Sequence, residues 1–286
     1  MTSADRDRGR ASHVALPVGL ALACHPEPVV TVTVVTTALS LAAGRSAVGG
    51  AAVAVAVLAG QLSVGWHNDW LDADRDRESA RADKPVARGA VDRRTVGWAA
   101  GIALVIVVPL SALSGWRAAV AHLAAVTCAW GYNAGLKATA LSFLPYAVAF
   151  ALLPAFVCLG LPSSPWPPWW ALVAGALLGT GAHLANALPD LADDLATGVR
   201  GLPHRLGASL SAAVAGFVLV AASAVLALGP GRPSMLSVGG LAAAVGLVVV
   251  ARRAARRPQS RVPFRLTMLV ALVDVALFIA RGDVLR

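Results

Sequence analysis

The chain has 286 residues, 57% of them hydrophobic and only 14% charged, with a mean hydropathy of +0.70. A soluble domain carries about 25% charged residues, so this balance argues against one, and apolar runs recurring from end to end indicate a polytopic membrane protein. The formal charge of +9 then reads as basic loops facing anionic lipid and not as a nucleic-acid surface. Cys24, Cys128 and Cys158 lie scattered in apolar text, with neither metal-ligand spacing nor a disulfide framework.

In chain order, residues 1–13 form a polar tail and 14–286 a single transmembrane domain. No cleavable signal peptide is evident, because "HPEP" interrupts the first apolar run. Segment 14–25 is too short to span and is expected to lie along the interface. Nine spans are expected near 28–44, 47–66, 95–113, 116–133, 142–161, 169–187, 208–228, 235–251 and 264–281. Many are rich in Ala, Val, Leu and Gly, which suits close helix packing. With the N-terminus cytoplasmic, 19 of the 24 Lys and Arg fall inside; only Arg45, Arg117, Arg232, Arg281 and Arg286 remain outside. That split follows the positive-inside rule and an odd number of spans. The tryptophans of "LPSSPWPPWW" then sit at the outer interface.

Two inside loops share a pattern. Asn68-x3-Asp72-x3-Asp76 returns 118 residues later as Asn186-x3-Asp190-x3-Asp194, and Pro85 and Gly89 return as Pro203 and Gly207. Such an echo reads as an internal duplication. At 100° per residue, Asn68, Asp69, Asp72 and Asp76 lie within an arc of about 100° on a helix, as do Asn186, Asp190, Asp193 and Asp194. A solvated loop has no need of that register twice. Crowded carboxylates repel one another, and two facing stripes offer hard oxygen ligands suited to Mg²⁺ and substrate phosphates. Arg77, Arg81, Lys84, Arg88, Lys137, Arg200 and Arg205 supply cations nearby. Carboxylates, metal and Lys/Arg together are equipment for holding a diphosphate and easing its departure. Asp74, Glu78 and Asp92 read as solvated.

The "NDWLDADRD" stretch resembles the NDxxDxxxD motif of the UbiA superfamily of intramembrane prenyltransferases, through Asn68, Asp69, Asp72 and Asp76. "DLADD" looks like the second motif, DxxxD, and "GLPHRLG" like the loop that follows it. "YNAGLK" is similar to the family's Tyr…Lys loop, and "KPVARG" resembles its Arg-Pro…Gly element with Lys84 in place of Arg. The resemblance implies an all-α membrane protein: a nine-helix bundle around a central cavity, capped by two acidic cytoplasmic loops. It implies Mg²⁺ bridging a polyprenyl diphosphate to Asp69, Asp72, Asp76, Asp190 and Asp194. Asn68, Arg77, Lys84, Arg88, Lys137, Asn186 and Arg205 would hold or orient the diphosphate. Asp69, Asp193, Tyr132 and Lys137 would act in catalysis. Asp193 would be a ligand or an acceptor-orienting group. Tyr132 would stabilise an allylic cation or bind the acceptor, unless it is an interfacial belt tyrosine.

The expected reaction moves an isoprenoid chain to an acceptor, aromatic or lipid-like, in the plasma membrane of a prokaryote. A terpene cyclase using the same site without an acceptor is the alternative, and a secondary transporter a more distant one. His25 either lines the cavity or simply starts the first span. Trp66 and Trp70 either wall the cavity or form part of a belt. Asp274, costly within a span, is expected to pair with a polar group. His67, His122 and His183 show no zinc spacing.

Overall fold

The computed structural model describes residues 16–78, 84–254 and 262–285, except the side chains of 192, 193, 254 and 262–264. The polar tail 1–13, Arg81 and most of the basic 252–263 loop lie outside the described residues. Every regular element among those described is helical. α1 (Leu16–Ala23) and α2 (Pro26–Ala42) meet at an angle of 70°. The elbow is His25, a non-glycine residue in the left-handed region at φ 58°, ψ 72°. Pro26 follows it and cannot continue an α1 hydrogen-bond ladder.

α3 (Ala47–Glu78) has 32 residues. At 1.5 Å per residue it is about 48 Å long, against about 30 Å of hydrocarbon, so its last three turns, from about His67 onward, stand beyond the membrane core. Then come α4 (Arg93–Ala112), α5 (Trp116–Asn133), a 3₁₀ turn (Leu136–Ala138), α6 (Phe143–Leu159) and α7 (Trp169–Ala187). The chain continues through α8 (Leu191–Ala196), α9 (Leu202–Leu228), α10 (Met235–Ala254), α11 (Val262–Ala280) and a closing 3₁₀ turn (Gly282–Leu285).

The helices close into a ring: α2 packs on α3, α3 on α5, α5 on α6, α6 on α7, α7 on α9, α9 on α11, and α11 returns to α2. α4 leans on the outside of α3 and α5, and α10 on α9 and α11. Leu39, Val157, Leu219, Leu226 and Val270 belong to one apolar core joining these helices. Val53, Ala56, Ala118 and Phe156 form a second core between α3, α5 and α6. Asp274 is buried on α11 and accepts a hydrogen bond from the Ser223 hydroxyl of α9, the polar partner expected for it.

α3, α4, α9 and α10 are each long and apolar enough to cross a bilayer, and the bent α1–α2 pair passes the same test together. The chain is thus an all-helical integral membrane protein with four or five such spans among its described residues, fewer than the nine expected. α6 is apolar but has 17 residues. α5 and α7 carry indole, imidazole and amide groups among their apolar residues, which lowers their hydropathy.

The 118-residue echo survives in the backbone. Gly89 and Gly207 both take positive φ, 72° and 76°, where L side chains are strained. A Cβ at either glycine would meet open space, so the dihedral alone explains the residue type. The echo is inexact in one respect. The first motif lies on the unbroken α3, whereas α7 ends at Ala187 and the second motif runs through a turn into the short α8. Pro189 is the cause, since it lacks an amide donor and disfavours helix in the residue before it. The helical arc of about 100° therefore describes the first motif and not the second.

Candidate active site

α3 carries its acidic stripe at its C-terminal end. Asp69, Asp72 and Asp76 are buried, whereas Asp74, on the opposite side of the helix, is exposed. Asp69 is 1% exposed. Its Oδ1 is 2.7 Å from Lys84 Nζ and 2.9 Å from His25 Nε2, and those two nitrogens are 2.8 Å apart. The Pro85–Gly89 turn and the α1–α2 elbow thus bring two bases to one carboxylate. Burial pushes the Asp69 carboxyl up, but the His25 hydrogen bond and the Lys84 ammonium outweigh it and hold it below the usual carboxylate range.

Asp72 accepts from Lys137 Nζ at 2.6 Å on both oxygens, from Arg75 at 2.6 Å and from Asn68 Nδ2 at 3.1 Å. Lys137 comes from the 3₁₀ turn after α5. Burial pushes its ammonium down, against the pull of Asp72. Burial also pushes the Asp76 carboxyl up. On the second motif, His204 Nε2 lies 3.2 Å from Asp194 Oδ2, and the His204 side chain is only 4% exposed.

A cavity of about 540 Å³ joins the two motifs. Asn68, Asp72 and Asp76 line it from one side, and Asn186, Asp190 and Asp194 from the other. Lys84, Lys137, Arg75 and His25 supply its basic groups. Tyr132, Tyr146 and His183 form an aromatic wall, with ring centroids 5.0 to 5.7 Å apart. The structure therefore brings together most of the residues singled out from the sequence, with Asp69 engaged just behind the lining.

Three expected diphosphate ligands stand elsewhere. Arg77 is exposed and donates to Asp74 at 3.1 Å. Arg88 is exposed on the Pro85–Gly89 turn, and Arg205 is exposed with its Nε donating to the Arg200 carbonyl. The Asp193 side chain lies outside the described residues.

Arg75, absent from the sequence reading, lines the cavity instead of Arg77. The signal was available: 100° steps put Arg75 about 20° from Asn68, on the stripe, and Arg77 opposite it. His25 was legible only as one of two alternatives, and the role of His204 carried no spacing signal. Asp92, read as solvated, accepts the Thr95 amide and caps α4. Trp66 pins α1 through its Nε1, which donates to the Leu20 carbonyl, and Trp70 packs outside the cavity beside Arg93. His67 stacks on Trp130, His122 on Phe156, and His183 bonds Ser142, so the three histidines form no set.

The donor set fits a divalent cation: carboxylate oxygens predominate, and the buried Asp69 Oδ2 has no hydrogen-bond partner among the described residues. Among those residues, no three His, Cys, Asp or Glu side chains already stand in position to hold one. Asp69, Asp72 and Asp194 each face a basic side chain, Lys84, Lys137 and His204 in turn. Asp74 serves as an internal control. It pairs with Arg77 and Arg93 in solvent, so Asp74→Ala is expected to leave turnover within about twofold of wild type, as for other surface substitutions; a steady-state assay checks this.

A membrane-embedded helical ring, with two acidic motifs and several bases meeting around one polar chamber, defines a class of integral membrane proteins. The sequence profile of the UbiA prenyltransferase family matches residues 18–273, and the chain belongs to that family. It is 31% identical over 190 residues to a 4-hydroxybenzoate octaprenyltransferase of Cupriavidus necator, covering 63% of this chain and 64% of that relative's length. Two structures of a UbiA homolog from Archaeoglobus fulgidus share the fold. The one bound to DMAPP and Mg²⁺ has a TM-score of 0.72 at 16% identity, covering 92% of this chain and 97% of that one. The one bound to GPP and Mg²⁺ has a TM-score of 0.68 at 13% identity, covering 92% and 98%.

Proposed function

We propose that this protein is an intramembrane prenyltransferase, dependent on Mg²⁺, that moves an isoprenoid chain from a polyprenyl diphosphate to an aromatic acceptor. The observation that carries this reading is the convergence of Asp72, Asp76, Asp190 and Asp194 with Lys84, Lys137 and Arg75 around one cavity. The activity of the Cupriavidus necator relative, a 4-hydroxybenzoate octaprenyltransferase, supports an aromatic acceptor of that kind.

Asp69, Asp72, Asp76, Asp190 and Asp194 would hold the metal, which when bound neutralises diphosphate oxygens and improves the leaving group. Lys84, Lys137 and Arg75 leave their carboxylates for phosphate oxygens. The allylic C–O bond then breaks, its electron pair leaving with pyrophosphate. The Tyr132 ring stands beside the cavity, where its face favours a cation. A ring carbon of the acceptor captures the cation, and its proton departs to a base. The surrounding apolar helices keep water away from the cation. Nine spans, with the N-terminus and both motifs cytoplasmic in a prokaryotic plasma membrane, complete the arrangement we infer from the charge pattern.

Purified protein is expected to release pyrophosphate from geranylgeranyl diphosphate in the presence of 4-hydroxybenzoate and Mg²⁺, giving a prenylated ring. Chelation with EDTA should abolish release, and Mg²⁺ should restore it. Release without an acceptor, yielding a hydrocarbon or terpene alcohol, would favour the cyclase. No release across several chain lengths, together with Mg²⁺ uptake into vesicles, would favour transport.

A further inference from the structure

A second concavity, of about 360 Å³, lies outside the ring where α4 crosses α3 and α5. Arg94, Gly97, Trp98 and Gly101 form its α4 wall. Their i, i+3, i+4, i+7 spacing places them on one helix face. His67 and Trp70 of α3 and Trp130 of α5 form the opposite wall. His67 and Trp130 are stacked, with centroids 3.7 Å apart, and the Trp130 Nε1 donates to Ser63. The groove thus has rigid aromatic sides. A Cβ added at Gly101 would meet nothing within 4 Å, so the floor beneath it is open.

The cations at its end are unequally paired, with Asp92 committed to capping the helix. Arg93 and Arg94 occupy the first turn of α4, the positive end of the helix dipole, where cations are disfavoured and anions favoured. Arg93 is compensated by Asp74 at 2.7 Å and lies over the Trp70 ring at 6.0 Å. Arg94 is exposed, with no acidic partner among the described residues. A largely apolar groove on the outer face of the ring, ending at an unpaired cation, is complementary to an amphiphile with an anionic head.

We propose that this groove binds one anionic glycerophospholipid, its phosphate at Arg94 and one acyl chain over Gly101 between Trp98 and Trp130, while the Trp70 ring closes the space over Gly97. The site is independent of the prenyl-transfer reading, since no cavity residue takes part. The inner wall nevertheless adjoins the first motif, because His67 Nδ1 lies 3.5 Å from Asn133 Nδ2, and Asn133 Oδ1 accepts from Asn68.

The test reconstitutes the full chain in nanodiscs of mixed phosphatidylglycerol and phosphatidylcholine, extracts it into detergent, and counts retained lipid by mass spectrometry. Wild type is expected to retain about one phosphatidylglycerol per chain. Arg94→Gln, which removes the cation, should reduce retention at least about fivefold, as for a lost charge-assisted contact, and Gly101→Leu, which puts a side chain into the groove from a position whose Cβ meets nothing within 4 Å, should reduce it comparably. Arg253→Gln, an exposed cation on α10, should not. A scan of thermal unfolding confirms that each variant is folded. The proposal is overturned if wild type retains no phosphatidylglycerol or retains phosphatidylcholine as readily. It is also overturned if Arg94→Gln or Gly101→Leu leaves retention unchanged, or if Arg253→Gln lowers it equally.

Discussion

Replacing Asp72 with asparagine is expected to cut prenyl transfer by about 10²- to 10³-fold, the usual scale for removing a preorganised electrostatic group from an active site. Asp72 is where the first motif meets the basic groups. Lys137 reaches both of its oxygens, and Arg75 and Asn68 share one of them. Asparagine preserves the shape and can still accept hydrogen bonds, but it removes the charge that positions both cations and, in the proposed reaction, one carboxylate of the metal site. Asp72→Ala should be at least as inactive and less stable, because Lys137 has a side chain only 11% exposed and would lose its acid. Pyrophosphate release measured alongside thermal unfolding separates the two effects. Full activity in a folded Asp72→Asn protein would remove this carboxylate from the chemistry.

The second large effect concerns folding. Lys84→Met should destabilise the protein by about 3–5 kcal/mol, the scale for breaking a buried ion pair from one side. The Asp69 and Lys84 side chains are 2% and 13% exposed, so water screens the pair weakly. Asp69 would retain only His25. The double variant Lys84→Met, Asp69→Leu should recover most of the stability, since replacing both partners with apolar groups leaves no buried charge, yet it should remain inactive. Thermal unfolding in detergent gives the ordering of the three proteins. The pair also sets a pH response. Because the folded Asp69 carboxyl is held below its ordinary value of 3.8, its contribution is present above about pH 4 and is lost as pH falls through the lowered folded value. The Lys84→Met protein should show a smaller loss of stability over that acid range.

Composition, the positive-inside pattern and the 118-residue echo suffice to define an all-helical membrane protein with two linked acidic motifs. These signals are legible because each depends on local periodicity or on counting charges: burial in lipid demands apolar helices, and a stripe on an unbroken helix follows from 100° per residue. That is why Asp69, Asp72 and Asp76 are buried on α3 while Asp74 is exposed. The same arithmetic, carried to the basic residues, distinguishes Arg75 from Arg77. The second motif escaped it because Pro189 breaks the helix on which the arc was drawn.

What the tertiary structure alone decided is which distant groups meet. A carboxylate's partners depend on where turns and elbows aim side chains tens of residues away, and no spacing encodes that. His25 reaches Asp69 because the α1–α2 elbow adopts a left-handed residue. His204 reaches Asp194 because the start of α9 packs against α8, and Arg88 and Arg205 turn to solvent although they follow the motifs in the chain. Residue type and local periodicity set the chemistry available at the helix ends; the closing of the ring set which charges face one another across the cavity, since ion pairs form through space and not along the chain.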